Sequence, residues 1–171
     1  VLVSERGRAR QLETGWRAVS ADAVLFLHAD TRLPSDWAHA VASCLRDPAR
    51  VGGAFRLRFD ASAKALRVVE FLARLRVALM RLPYGDQAIF VRRSTLEAMG
   101  GVAAVPIMED LDLIRAMKKE GRVEILGLEV RTSARRYLDQ GVARTAFTHL
   151  LALVAWRLGI DRRRVAAWCG R

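Results

Sequence analysis

The chain is poor in the residues that mark secreted, metal-clustered or nucleic-acid-stacking proteins. Its 2 cysteines, Cys44 and Cys169, are too few for a disulfide framework and too far apart for a Cys-x-x-Cys metal site. A reducing compartment, the cytoplasm, is the expectation. Proline occurs 4 times and glycine 12 times, which excludes collagenous and low-complexity chains. Aromatic residues make up 7%, and no helix-turn-helix, zinc-finger or stacking motif is present, so no specific nucleic-acid partner is expected despite a net charge of +11. Long apolar runs are missing too. The charge-free stretch from Thr145 to Trp156 falls well short of the ~20 residues a spanning helix needs. No secretory leader is expected from a start of Val1-Leu2-Val3-Ser4-Glu5-Arg6.

What is present suffices for one domain. A hydrophobic content of 52% in 171 residues can fill a core. The 29 basic residues are dispersed, and only Lys64, Lys118 and Lys119 are lysine. Such an arginine bias fits phosphate binding or simply genome base composition.

Strand and helix signals alternate through the first two thirds of the chain. Val1 to Val3 resembles a strand end, and residues 8–20 form a helix with Leu12, Trp16 and Val19 at helical spacing. Ala23-Val24-Leu25-Phe26-Leu27 is a continuous apolar run, as in a strand buried on both faces. A helix follows over 35–45, then a strand over 51–60 in which Phe55, Leu57 and Phe59 alternate with charged residues. A long basic amphipathic helix over 62–82 stops at Pro83. Residues 87–91 form a short strand, 94–99 a short helix ending at Gly100-Gly101, and 108–120 a helix with Glu109, Asp110 and Asp112 in its first turn. One or two strands over 123–132 precede helical segments over 142–158 and 161–168. This alternation indicates an α/β fold with a mixed, mainly parallel sheet flanked by helices.

In such sheets ligands gather beyond the carboxyl ends of strands, where Asp30 and the Glu109-Asp110 pair fall. Each has a plain alternative: Asp30 as a turn residue, the pair as acids favoured by a helix dipole.

Several ordered motifs carry a resemblance. Ala23 to Thr31, with His28-Ala29-Asp30, resembles the strand and Asp-x-Asp-type motif of family-2 glycosyltransferases. Tyr84-Gly85-Asp86-Gln87-Ala88-Ile89-Phe90-Val91-Arg92-Arg93 and Met108-Glu109-Asp110-Leu111-Asp112 look like the acceptor loop and Glu-Asp helix of that family. Gly7-Arg8-Ala9-Arg10, Gly52-Gly53-Ala54-Phe55-Arg56 and Thr132-Ser133-Ala134-Arg135-Arg136-Tyr137 resemble the subgroup described as radical-SAM and selenodomain-associated transferase 2.

The resemblance implies a GT-A fold, Rossmann-like, lacking its N-terminal βα units. Residues 1–141 are then a partial glycosyltransferase domain, and 142–171 an amphipathic helical segment packing on it or on a membrane surface. It implies sugar transfer from a nucleotide-diphosphate donor to an unknown acceptor, with inversion and Asp110 as general base. Loss of a diphosphate calls for charge neutralisation by Mg²⁺ or Mn²⁺, which Asp30 would hold through its carboxylate oxygen. The family usually has an acid where this chain has His28, so His28 as metal ligand, as support for Asp30, or as a loop hydrogen-bonding residue all stay open. Arg8, Arg10, Arg135 and Arg136 are candidates for the diphosphate. Gly52, Gly53, Gly85, Asp86, Gln87 and Glu109 are candidates for sugar and acceptor, against the alternatives of a bulge and a turn. Asp112 points elsewhere on its helix, as a cap or toward solvent.

The basic helix over 62–82 and the apolar residues Phe147 to Trp156 suggest either core or a surface that meets an anionic bilayer and a lipid-borne acceptor. The rival class is a catalytically silent relative that binds a nucleotide sugar or another polyanion without turnover.

Overall fold

A computed structural model of the chain describes residues 1–170. Five strands, β1 Ala23–Phe26, β2 Thr31–Arg32, β3 Arg50–Phe59, β4 Ile89–Arg92 and β5 Arg122–Thr132, form one sheet in the order β1-β4-β3-β5-β2. The helices are α1 Arg8–Arg17, α2 Trp37–Cys44, α3 Lys64–Met80, α4 Arg93–Ala98, α5 Glu109–Glu120, α6 Arg135–Gln140, α7 Val142–Arg157 and α8 Arg162–Trp168. A 3-10 turn, Gly85–Gln87, precedes β4.

The mixed α/β class agrees with the sequence, and the strand directions correct it. Only β3 and β5 pair in parallel; β1 with β4, β4 with β3, and β2 with β5 are antiparallel. Because β4 runs against both β1 and β3, the strands β1, β3 and β5 still share one direction. Their carboxyl ends and the turn that enters β4 therefore meet along one edge.

The sheet also curls. Phe26 ends β1 at one border and Thr31 begins β2 at the other. Five residue steps reach at most ~17 Å, whereas four flat strand spacings span ~19 Å. The connection closes only if the borders bend toward each other, and the bend gathers the loops of the shared edge.

Side-chain periodicity accounts for most elements. In β3, Phe55, Leu57 and Phe59 are buried while Arg56 is exposed. Leu111, Ile114 and Met117 bury one face of α5 against the main core with Ile89, Val91 and Val123. Glu70, 1% exposed, fixes α3 across β3 by accepting hydrogens from the Phe59 amide at 2.8 Å and the Arg58 guanidinium at 3.1 Å. Three local readings change and one is narrowed. Val1 to Val3 are exposed and outside the sheet, having no strand beside them to complete a ladder. β1 alternates rather than being buried on both faces, with Leu27 at 45% exposure, because it is a border strand with one neighbour. Residues 123–132 form a single strand, and Arg135–Gln140 is a helix the sequence reading passed over.

The C-terminal segment belongs to the same core. Ala152, Leu153, Trp156 and Val165 pack with Leu111 and Ile114. Asp112 ties it down, accepting from the Trp156 indole at 2.8 Å and from Arg162 at 3.0 Å through both oxygens. Asp112 is thus an interhelical tie rather than a cap or a solvent-facing residue.

Candidate active site at the carboxyl edge of the sheet

Hydrogen bonds stitch the edge loops together. The Ser133 amide donates to the Asp30 carbonyl at 3.0 Å, the Thr31 hydroxyl donates to Thr132 at 2.9 Å, and the Ala134 amide donates to the Asp60 carboxylate at 2.8 Å. The ends of β1, β3 and β5 are thereby held against one another.

A cavity of about 230 Å³ opens at this edge. Arg8, His28, Asp30, Asp86, Glu109 and Asp110 form its polar side, and Arg136, Tyr137 and His149 close it from α6 and α7. Residues separated by up to 161 positions in sequence, Arg8 and Cys169, meet here.

The α5 acids diverge in role. Glu109, 1% exposed, is paired with the Arg8 Nε at 2.9 Å. Asp110, half-buried, accepts the Gly85 amide hydrogen on Oδ2 at 2.7 Å and that of Leu111 on Oδ1 at 2.9 Å, the latter satisfying a first-turn amide of the helix. Gly85 leaves room for these side chains. A Cβ there would run into the Arg8 guanidinium and lie 2.8 Å from His28 Nε2 and 3.3 Å from Asp110 Oδ2.

His28 Nε2 accepts a hydrogen from Arg8, whose guanidinium can only donate.

Asp86 differs from its neighbours. Its Oδ1 is enclosed and has no hydrogen-bond partner. Burial pushes its carboxyl up from 3.8 to about 6, with Arg76 pulling it back and Asp110 pushing it further. A carboxylate in that range is suited to receive a hydroxyl hydrogen near neutral pH. Ala88 and Met108, both non-glycine residues in left-handed backbone (φ 48° and 65°), flank this turn and the start of α5. Strain of that kind, of order 1–3 kcal/mol per residue, persists where surroundings over-determine the backbone and clusters at functional sites.

Other expected residues lie elsewhere. Gly52 and Gly53 are in mid-sheet: a Cβ on Gly52 would strike the Phe90 carbonyl and lie 2.8 Å from Val91 Cα, and one on Gly53 would meet the Glu124 carbonyl. Irregular β3·β5 register on both sides of the pair supports the bulge alternative over sugar contact. Gln87, 2% exposed, donates to the Phe55 carbonyl at 2.8 Å and accepts from the Tyr84 amide, so it builds the turn and does not line the cavity. Arg10 pairs with Glu5 on the surface, and Arg135 is exposed; neither lines the cavity. Arg136 does, donating to the Cys169 carbonyl at 3.1 Å.

Sequence reasoning passed over Arg76, Tyr137 and His149. Arg76 stacks 3.4 Å above the Tyr84 ring and donates to the Leu82 carbonyl at 3.0 Å, bracing the turn that bears Asp86. Tyr137 and His149 share a hydrogen bond of 3.0 Å, and burial raises the Tyr137 hydroxyl well above its usual range. The signal for His149 was a lone histidine in a mostly apolar helix.

Compared with known proteins, the chain matches no protein-family model and no curated sequence. No group of three or more His, Cys, Asp or Glu suited to hold a metal is found among the described residues. A divalent ion that takes one protein carboxylate and otherwise phosphate oxygens and water does not need such a group. Asp30, exposed at the cavity wall, fits that requirement.

Proposed function

We propose that the chain is a glycosyltransferase of GT-A type that moves a sugar from a nucleotide-diphosphate donor to an acceptor hydroxyl. The observation that carries this reading is the convergence of Asp30, Asp86 and Asp110 with Arg8 and Arg136 on one cavity at the shared carboxyl edge.

The roles follow from chemistry. Attack on the anomeric carbon requires the acceptor hydroxyl to lose its proton as the new C–O bond forms. Asp110 takes that proton; the two amides hold its carboxylate in place and leave each oxygen a second lone pair. Asp86 orients the acceptor through its unpartnered Oδ1. The bond from anomeric carbon to phosphate oxygen breaks with its electron pair going to the diphosphate. Arg8 and Arg136 supply fixed positive charge beside the departing group. Asp30 would hold Mg²⁺ or Mn²⁺, whose contribution when bound is to neutralise the diphosphate. Two buried free thiols, Cys44 and Cys169, support a reducing, cytoplasmic setting.

A second reading, binding of a nucleotide sugar or another polyanion without turnover, is favoured by the same amide bonds to Asp110, which a purely structural carboxylate would also make. Release of nucleoside diphosphate from a panel of nucleotide sugars, with acceptor and Mn²⁺ present, separates the two. We expect Asp110→Asn to lose about 10²- to 10⁴-fold in turnover at saturating substrates while keeping donor affinity. Equal turnover by the variant would remove Asp110 as base, and binding without turnover by the wild type would establish the second reading.

A further inference from the structure

Two neighbouring helices carry apolar stripes on the side away from the core. In α3 the buried residues Leu66, Glu70, Ala73 and Val77 define the inner face. Val68, Phe71, Leu72, Leu75 and Leu79 lie on the opposite side, all between 43% and 75% exposed. Their spacing of 3, 4, 7 and 11 from Val68 is that of one continuous stripe.

The same pattern recurs in α7. Thr145, Ala152, Ala155 and Trp156 face inward. Phe147, Leu150, Leu151, Val154 and the adjoining Leu158 face outward, between 46% and 72% exposed. The helices touch through Leu66, Val69 and Ala73 on one and Val142 and Ala146 on the other, which leaves both stripes uncovered. Apolar surface in a stripe on each of two packed helices exceeds the scattered exposure normal for a monomer.

The charges beside the stripes have one sign. Lys64 and Arg74 lie on α3, whose only acid, Glu70, is buried and paired with Arg67 and Arg58; Arg144 and Arg157 lie on α7, which has no acid. A second copy of the chain would set arginine against arginine. A surface that is apolar beneath and negatively charged above matches both features.

We infer that α3 and α7 dock the protein on an anionic lipid bilayer, lying in its interface with Leu72, Leu75, Leu151 and Val154 among the acyl chains. No helix among the described residues is long and apolar enough to cross a membrane; the docking inferred is that of α3 and α7 lying on the bilayer surface. The inner face of α7 contributes His149 and Ala152 to the cavity, so docking brings the cavity beside the bilayer. The inference stands on the stripes and their charges, independently of sugar transfer.

The test is cosedimentation with vesicles of phosphatidylcholine alone or with about one third phosphatidylglycerol, at low and high salt. The wild type is expected to sediment with the anionic vesicles at low salt and at least tenfold less with the neutral ones. The double variant Leu72→Glu, Leu151→Glu should lose at least tenfold in partitioning with an unchanged melting temperature, since both side chains are exposed. Asp110→Asn should partition like the wild type, which keeps this result separate from any failure of the transferase reading. Equal partitioning of the double variant and the wild type would overturn the inference. So would a concentration-dependent dimer that the double variant abolishes and that does not bind vesicles.

Discussion

Gly53 and Gly85 carry the same kind of sequence signal, a glycine beside polar residues in a motif that suggests a close-approaching ligand, and they end in unlike surroundings. Gly53 is wedged between β4 and β5, where a side chain would meet the Glu124 backbone and the Phe90 ring. Gly85 sits against Arg8, His28 and Asp110 at the cavity. The first makes room for neighbouring strands, the second for charged side chains. Substitution in the sheet interior should therefore cost stability without touching ligand binding specifically, whereas substitution at the edge should change ligand binding or turnover and leave the fold in place.

The sharpest interior case is Gly52→Ala. Its Cβ would meet backbone atoms of Phe90 and Val91, which cannot swing aside as a flexible side chain can. Overpacking of this kind costs typically 1–3 kcal/mol and occasionally more; we expect about 3 kcal/mol, read from denaturant unfolding. A loss below ~0.5 kcal/mol would erase the contrast with the edge.

At the edge the sign reverses. The folded protein holds the Asp86 proton more tightly than the unfolded chain, its carboxyl being raised from 3.8 to about 6. Ionisation of Asp86 therefore penalises folding. The penalty is absent well below 3.8, grows as pH rises through about 6, and reaches about 3 kcal/mol above it, at 1.36 kcal/mol per pK unit. Asp86→Asn should stabilise the protein by up to that amount at pH 8 and by almost nothing at pH 3, while weakening acceptor binding. Equal effects at both pH values would show that the carboxyl is not held in a desolvated site.

The smallest expected effect belongs to Arg10, an exposed residue paired with Glu5. Arg10→Ala should change stability by no more than about 0.5 kcal/mol, as exposed ion pairs do, and leave donor affinity unaltered. A tenfold loss of donor affinity would restore Arg10 to the site and blur the boundary drawn at the cavity wall.

How much of this was legible in the sequence depended on whether a residue's role is local. Strand and helix positions followed from periodicity, and β3 is the clearest instance, since Phe55, Leu57 and Phe59 alternate as they point. The placing of Asp30, Asp86 and Asp110 near strand ends and a helix start was legible for the same reason. Strand order was not, because apolar runs say nothing about which strands pair; a mainly parallel sheet was expected where three of four pairings are antiparallel. Which face of a helix turns inward was equally hidden. Leu111 and Ile114 in α5 and Leu72 and Leu75 in α3 show similar spacing, yet the first pair is buried and the second exposed. Gln87 looks functional in sequence and Asp112 looks like a cap or a solvent-facing residue; both are structural ties, since their partners Phe55, Trp156 and Arg162 lie far along the chain.

The most direct test of the edge as a nucleotide-diphosphate site is a melting-temperature titration of the wild type and Asp30→Asn with nucleoside diphosphates, with and without Mg²⁺ or Mn²⁺. A ligand at one hundred times its Kd adds about 2.7 kcal/mol, which for a domain of this size raises Tm by roughly 5–10 °C. We expect that rise for the wild type only when metal is present, and its loss in Asp30→Asn. No shift with any nucleotide, or a shift of equal size in the variant, would contradict it.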